Sequence, residues 1–431
     1  MRVLVLGGYG LIGSAIARAC LDRGWRVTGA GRRPVIGQQR IPGAEWARVD
    51  LAAPNDPAWR SLLDGVDVVI NAAGALQDGG RDDLEAVHAR GLAAFVDACD
   101  AAGVKRFVQI SAPGAAADAA TAFLRTKAAG DAAVRARDGA WAILKPGLVI
   151  GPAAYGGSGL IRGLAALPFV QPIAHADSPA RTVALSDVAD EAAACAAGER
   201  TDDYEADLVE PDPRTLGGVI AALRAWLGLP RARIVRMPGW TAGLAGAAGD
   251  LAAALGWATP LRSTAMRTMA NGVDGDPAAA RASRGADLMT LEATLARMPA
   301  SAQERLYARL YCVRPLVIVV LAVFWVASGA IGLARFDAAA GILETAGAAA
   351  PLPALAVAGG SLADLGLGVA VLHRATSRAA MLGMIGVSVA YLAAATILTP
   401  GLWADPLGPL IKIFPAAALA LAGLAMDAGE R

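Results

Sequence analysis

Residues 121–131, TAFLRTKAAGD, read as a helix that sets Lys127 one turn beyond Phe123 on a shared face. A lysine in that position can hold a cofactor and lower the pKa of a hydroxyl one turn away. Position 123 offers a phenyl ring instead. Lysine is scarce in this chain: of 39 basic residues only Lys105, Lys127, Lys145 and Lys412 are lysines. Generic surface cations are therefore arginines, which favours a lysine kept for its own chemistry at 127. For Lys105, just ahead of RFVQIS, a plain surface role is the better expectation.

A second chemical signal stands near the N-terminus. GGYGLIG follows a short apolar run and spaces Gly7, Gly10 and Gly13 as GxxGxxG. The first glycine permits a tight turn and the second lets backbone N–H groups approach a pyrophosphate. The third lets the next helix pack on its strand, with the phosphates at that helix's N-terminus. After the second expected strand an NAD site would carry an acid for the ribose 2′-hydroxyl. Residues 28–34 hold no acid, and Arg32 and Arg33 stand there. Guanidinium groups bind phosphate oxygens in pairs, so NADP(H) is expected over NAD(H). The alternative is two arginines that merely solvate a loop.

The elements that must position these residues follow from periodicity. Short apolar runs at 3–7, 26–31, 66–74, 106–111 and 141–149 alternate with helical stretches near 11–23, 83–102 and 121–138. Such alternation implies parallel strands joined by right-handed crossovers, a Rossmann-type doubly wound α/β sheet. Beyond about 152 the order loosens, with a strand expected at 204–210 and helices near 214–228 and 241–256. Residues 1–200 are read as the nucleotide-binding domain, 201–312 as a substrate and connecting region, and 313–431 as a membrane domain.

That last boundary is a change of composition. The 431 residues are 55% hydrophobic, with a mean hydropathy of +0.46, high for a wholly soluble protein. Residues 315–334 form a charge-free run of spanning length, and further candidates lie near 352–372, 379–399 and 408–426. Arg305, Arg309 and Arg314 precede the first, and His373, Arg374 and Arg378 separate the second from the third. The positive-inside rule then places the N-terminal half and the C-terminus in the cytoplasm, with four spans in an inner membrane. A net charge of +1 gives no field suited to nucleic acid. Cys20, Cys99, Cys195 and Cys312 are scattered without a CxxC or a histidine cluster, so reduced thiols and no metal site are expected. MRVLVLGGYG lacks the length and cleavage pattern of a signal peptide and reads as a buried first strand.

Together the motifs resemble the short-chain dehydrogenase/reductase superfamily on its extended or atypical side. GGYGLIG, VDL (49–51), NAAG (71–74), QIS (109–111), the lysine of FLRTK, KPGLVIGP (145–152) and VALSDVAD (183–190) occur in the family's order. The resemblance implies a cofactor site lined by Gly7, Tyr9, Gly10, Leu11, Ile12 and Gly13, with Asp50 and Leu51 near the adenine. Asn71, Ala72, Ala73 and Gly74 would line the cofactor, and Pro146, Leu148 and Val149 would flank the nicotinamide. Ser111 would polarise a substrate carbonyl and Lys127 would bind the nicotinamide ribose. A small substrate domain would continue to about residue 300. The last 115 residues look like a DoxX-like four-helix membrane domain, through WVASG (325–329) and DPLGPLIKIFP (405–415). A more distant likeness of the first half is to the complex I accessory NADPH-binding subunit.

The departure is Phe123, where the family carries the tyrosine that exchanges a proton during hydride transfer. No tyrosine here has a lysine four residues later. Tyr155, in GPAAYGGSG, is the expected substitute acid, and Tyr9 a second candidate. His88 reads as a packing or cofactor-side residue, Asp187 as a helix-capping or ordering residue, and His175 as a loop residue near the substrate cleft. Asp364, mid-span, is either a proton or quinone-like site or a hydrogen-bonded acid within the bundle, too deep to pair with Lys412. The sequence thus points to a membrane-anchored NADP(H)-dependent oxidoreductase acting on a quinone- or lipid-like substrate. Its rival is a non-catalytic NADPH-binding protein that stabilises or regulates a membrane protein partner.

Overall fold

The computed structural model describes residues 1–53, 58–74 and 83–427. The chain divides into two compact units, residues 1–250 with 259–305, and residues 251–258 with 306 onward.

In the first unit strand and helix alternate through β1 (Arg2–Leu6), α1 (Leu11–Asp22), β2 (Arg26–Gly31), α2 (Pro34–Arg40), β3 (Glu45–Arg48), α3 (Ala58–Leu63), β4 (Val68–Asn71), α4 (Gly91–Ala101), β5 (Arg106–Ile110), α5 (Ala122–Arg135) and β6 (Ala140–Pro146). There follow β7 (Leu148–Ile150), α6 (Gly157–Ala165), β8 (Val170–Ala174), β9 (Thr182–Ala184), α7 (Leu185–Ala197), β10 (Tyr204–Leu208), α8 (Leu216–Trp226), β11 (Arg233–Met237), α9 (Gly239–Ala254), α10 (Ser263–Asn271), α11 (Ala278–Arg284) and α12 (Leu291–Ala296).

Seven strands form one parallel sheet in the order β10-β6-β5-β4-β1-β2-β3. Alternation along β1 divides the core. Val3 and Val5 pack with Ile16, Ile70 and Val108 on one face. Leu4 and Leu6 pack with Val69, Phe95 and Phe107 on the other. Both faces are covered, which is why these strands read as continuous apolar runs. Leu6 lies between Ala30 of β2 and Asn71 of β4. At that point the strand order reverses and leaves a crevice at the carboxyl ends.

The expected doubly wound α/β fold is present, with local differences. β3 was not expected, because EWAR is a four-residue, half-exposed edge strand with no apolar run. The expected strand 141–149 breaks at Gly147, where a Cβ would lie 2.7 Å from the Arg181 carbonyl. β7 then pairs with β9, away from the main sheet, and β8 pairs with β11. The helix expected at 83–102 is entered through a π-helical turn at Ala86–Arg90. Asp187 lies in the first turn of α7 and orders its surroundings by accepting from Met289 N at 2.8 Å.

The second unit contains most of α13 (Ala302–Ala334), then α14 (Phe336–Thr345), α15 (Leu352–Ala370), α16 (Ser377–Leu398) and α17 (Ile413–Met426). Among the described residues α13, α15 and α16 are long and apolar enough to cross a membrane. The fourth span, expected from 408, is shorter. Pro406, Gly408 and Pro409 delay the helix to Ile413, and its 14 residues reach only about 21 Å. Asp364 of α15 is buried and accepts from Ser328 of α13 at 2.7 Å and Tyr391 of α16 at 2.9 Å. It is thus an acid hydrogen-bonded within the bundle, while Lys412 is exposed.

One end of this unit is polar. Asp427 accepts from Arg314 at 3.0 Å and from Arg374 at 3.1 Å. The two guanidinium carbons lie 5.4 and 5.3 Å from the Trp257 ring centre. Trp257 donates its indole N–H to Leu372 O at 2.6 Å. Arg314 of α13, Arg374 between α15 and α16, and Asp427 after α17 therefore meet at one end.

Candidate functional site

Three glycines shape the turn after β1. Gly7 has φ +68° and hydrogen-bonds through its N–H to Ala30 O at 2.8 Å. A Cβ there would stand 2.7 Å from the Ala72 carbonyl and the Ala73 backbone. A Cβ on Gly13 would strike the Gly7 carbonyl, so α1 rests directly on the turn. No side chain among the described residues caps α1. Its first-turn N–H groups, at Leu11, Ile12 and Gly13, are left for an anion. A cradle that any Cβ would fill, beside an uncapped helix N-terminus, fits a dinucleotide pyrophosphate.

Tyr9 turns toward the end of β2, its ring against Gly31 and 6.4 Å from Trp46. That places it beside Arg32 and Arg33, away from Lys127. Both arginines are exposed just past β2. Arg40, which the sequence reading passed over, donates to the Tyr9 carbonyl at 3.0 Å. Asp50 accepts from Ala52 N at 3.1 Å and shapes the turn after β3, and Leu51 is buried. Asn71 is buried at the end of β4, where it donates to Gln109 at 2.8 Å and accepts from Ala73 N at 3.0 Å. It locks the turn that presents Ala72, Ala73 and Gly74. Pro146 is buried beside Gly147, and Leu148 and Val149 are half-buried in β7.

Opposite this turn lies α5, whose start is set by Thr121 accepting from Leu124 N. The start places Phe123, Lys127 and Asp131 one turn apart. Lys127 is buried and donates from Nζ to the Ile110 carbonyl at 2.9 Å. Burial lowers its pKa from 10.5 to about 8, against the pull of Asp131. A Cβ on Gly74 would lie 3.1 Å from His88 Nε2 and 3.3 Å from Lys127 Nζ, so three separate segments converge there.

His88 sits in the π-helical turn, buried, with Nδ1 3.1 Å from Thr126 Oγ1. Its ring meets Phe123 edge to face at 5.8 Å. Burial, helped by Lys127, pushes its pKa down to about 2, so the imidazole is neutral. Thr126 donates to the Phe123 carbonyl at 3.0 Å. Thr126 thus links the His88 ring to the α5 backbone. Phe123 therefore packs its ring against the His88 imidazole.

Ser111 faces inward. Its hydroxyl donates to Asp131 Oδ2 at 2.5 Å, with both residues buried. Burial raises the Asp131 pKa above the ordinary carboxylate range. Its other oxygen has no hydrogen-bond partner among the described residues. Asp131 escaped the sequence reading, although its place four residues after Lys127 was a usable signal. Tyr155 is 68% exposed on the turn before α6, its own N–H bonded to Ser158 Oγ at 3.0 Å. No hydrogen bond among the described residues joins it to Lys127 or Ser111. His175, at φ +57°, lines two neighbouring cavities of about 380 and 440 Å³. The larger also involves Ala242, Ala247, Ser263 and Met266 of α9 and α10.

Comparisons with known proteins agree with this geometry. Residues 7–197 match the NAD(P)H-binding family and residues 322–421 the DoxX-like family. Over 200 residues the chain is 32% identical to the ceramide reductase of Caulobacter vibrioides, covering 46% of this chain and 61% of that protein. Over 114 residues it is 34% identical to the 2-alkyl-3-oxoalkanoate reductase of Stenotrophomonas maltophilia, covering 26% of this chain and 34% of that protein. The chain thus spans less than two thirds of either relative. The fold is shared with the Bordetella bronchiseptica enzyme WbmG in complex with NAD, at 17% identity and a TM-score of 0.52, over 69% of this chain and 92% of that one. It is shared equally with a Bacillus cereus UDP-glucuronic acid 4-epimerase, at 16% identity and a TM-score of 0.51, over 72% and 99%. An NAD(P)H-binding Rossmann domain is therefore joined to a DoxX-like domain in this chain.

Proposed function

We propose that this chain, an NAD(P)H-binding Rossmann protein with a DoxX-like domain, is a membrane-anchored NADP(H)-dependent oxidoreductase acting on an apolar, quinone- or lipid-like substrate. The observation that carries the reading is the convergence of Gly74, His88 and buried Lys127 opposite the glycine cradle. When bound, the cofactor supplies a hydride. Lys127 is proposed to hold the nicotinamide ribose, while the glycines and the α1 N-terminus hold the phosphates. Asn71 to Gly74, Pro146, Leu148 and Val149 would form the walls, and Tyr9, Asp50 and Leu51 the adenosine end. Two relatives that are themselves reductases support a redox role.

The missing phenol bears on the substrate. A ketone that accepts hydride becomes a strongly basic alkoxide and needs an acid in place. A quinone that accepts hydride becomes a hydroquinone anion, which can take its proton from water. Phe123 therefore suits a quinone better than a simple ketone. Tyr155 is the proposed donor if the substrate is a ketone. Tyr155→Phe would then lower kcat by about 100-fold, measured as NADPH oxidation by full-length protein in lipid. An unchanged rate assigns the proton to water.

Arg32 and Arg33, exposed at the end of β2 with no acid nearby in sequence, support NADP(H). Arg33→Asp is expected to weaken NADPH by about 10-fold or more, as loss of a charge-assisted phosphate contact does. NADH affinity should stay the same or rise. Equal loss for both cofactors would overturn the 2′-phosphate reading.

The second reading, an NADPH-binding protein without turnover, is favoured by Ser111. Its hydroxyl proton is committed to Asp131 rather than aimed at a carbonyl. Tight NADPH binding with no oxidation in the presence of membrane quinones or long-chain ketones would establish it. Both readings place the DoxX-like unit across an inner membrane, with the first unit and the C-terminus in the cytoplasm. The gathering of Arg314, Arg374 and Asp427 at one end supports that topology through the positive-inside rule.

A further inference from the structure

The helix α9 presents a surface that suits no aqueous neighbour. After Gly239 its exposed positions are Trp240, Gly243, Leu244, Ala247, Ala248, Leu251 and Ala254. They follow the i, i+3, i+4, i+7 progression and form one stripe, about 21 Å long, without a polar side chain. Trp240, Leu244 and Leu251 are 67%, 63% and 65% exposed. The opposite face buries Ala242, Gly246 and Gly249 against the α10 region, where a Cβ on Gly249 would strike the Leu261 carbonyl. So the helix is held by its small residues and shows its large ones outward, the reverse of a soluble helix.

What lies before and after the stripe identifies its occupant. Between 229 and 258 the charged residues are Arg231, Arg233, Arg236 and a single acid, Asp250. Asp250 is engaged by Arg262 at 3.2 Å, and Arg231 and Arg233 are exposed. A basic approach, an exposed tryptophan and an apolar stripe are the marks of a helix lying in a membrane interface over anionic headgroups. The last turn of α9 runs on into residues 255–257, which pack with the spanning helices. Leu255 O accepts from Arg374 N at 2.9 Å, and Trp257 is held between Arg314 and Arg374. That is the polar end of the helical unit, where spans leave the bilayer.

We propose that α9 is an interfacial helix whose Trp240–Leu244–Leu251 stripe lies in the surface of an anionic bilayer. Gly243 and Ala247 belong both to the stripe and to the lining of the 440 Å³ cavity. The inference rests on the membrane placement of the helical unit.

The test uses full-length protein in vesicles of phosphatidylcholine with one-third phosphatidylglycerol. Cys20, Cys99 and Cys195 are buried, so a Cys312→Ser background leaves an added cysteine as the accessible one. An environment-sensitive fluorophore is placed by Leu244→Cys, by Leu251→Cys, by Asp22→Cys on exposed α1, and by Val323→Cys on the outward face of α13. Labels at 244 and 251 should emit to the blue of the label at 22. Lipids spin-labelled high on the acyl chain should quench them several-fold more strongly than the label at 22, and deep-labelled lipids should quench 323. Quenching at 323 but not at 244 or 251 overturns the interfacial helix and leaves the membrane reading intact. No quenching at 323 overturns both. A blue shift at 244 that appears only as protein concentration rises, without lipid quenching, assigns the stripe to a second copy of the chain and overturns the proposal.

Discussion

Valine at position 13 is expected to raise the Kd for NADPH at least about 100-fold (~2.7 kcal/mol). The position of its Cβ is already taken by the Gly7 carbonyl, and the Gly8 Cα lies 3.0 Å away. Both are backbone, tied on the other side to Ala30 through the Gly7 and Gly8 N–H groups. They cannot yield as a flexible side chain would. The helix α1 must back away from the turn and take its uncapped N–H groups with it. Overpacking of this kind costs about 1–3 kcal/mol in any core, and here the displaced groups are also the phosphate ligands. Gly10→Ala, whose Cβ would lie 3.2 Å from the same carbonyl, is the graded partner and should lose about 10-fold, some 1.4 kcal/mol. Titration calorimetry with NADPH reads both, with far-UV circular dichroism as the control for folding. Undiminished affinity in a folded Gly13→Val protein would remove the cradle from the site.

Lys127→Met should divide stability from function. The lysine is buried with one carbonyl acceptor, near neutral His88 and one turn from Asp131, and burial depresses its folded pKa to about 8 from 10.5. Below pH 8 the folded protein carries a buried ammonium. Between about 8 and 10.5 the unfolded chain holds a proton that the folded chain has released. Apo stability therefore rises with pH across that window. Methionine has similar length without the charge, so Lys127→Met should leave apo Tm unchanged or higher and abolish that rise. NADPH affinity should fall about 10- to 100-fold, as expected for loss of a charged hydrogen bond. In the unaltered protein, affinity should weaken as pH rises through about 8 and the ammonium is lost. Chemical denaturation at pH 7 and pH 10 with NADPH titration at both would show this. A variant that is destabilised yet binds NADPH normally would make Lys127 a packing residue.

Much of the first unit was legible because its signals are local. Gly7, Gly10 and Gly13 report a turn that only they can make, and the alternation of VLVL with an amphipathic segment reports strand and helix. Strand β3 was hidden because an exposed edge strand needs no apolar pattern. The break at Gly147 was hidden because its cause is the Arg181 carbonyl, 34 residues away. In the helical unit, the apolar runs gave three helices of spanning length and misplaced the start of α17, where prolines outweigh hydropathy.

The site divides along the same line. Lys127 and Phe123 could be paired from their spacing, since a helix places i and i+4 together whatever surrounds it. The direction of Ser111 could not, because it depends on where α5 crosses β5 and so on Asp131 reaching the end of that strand. Nor could the neutrality of His88, which comes from burial beneath Phe123 and beside Lys127, three side chains on two helices. Residue types and short spacings determined that this chain has a nucleotide cradle, a lysine one turn beyond a phenylalanine, and apolar helices. Tertiary structure alone decided which hydroxyl turns inward, which imidazole stays neutral and which face of α9 stays exposed. Those properties belong to distances between segments, and only the packed chain sets them.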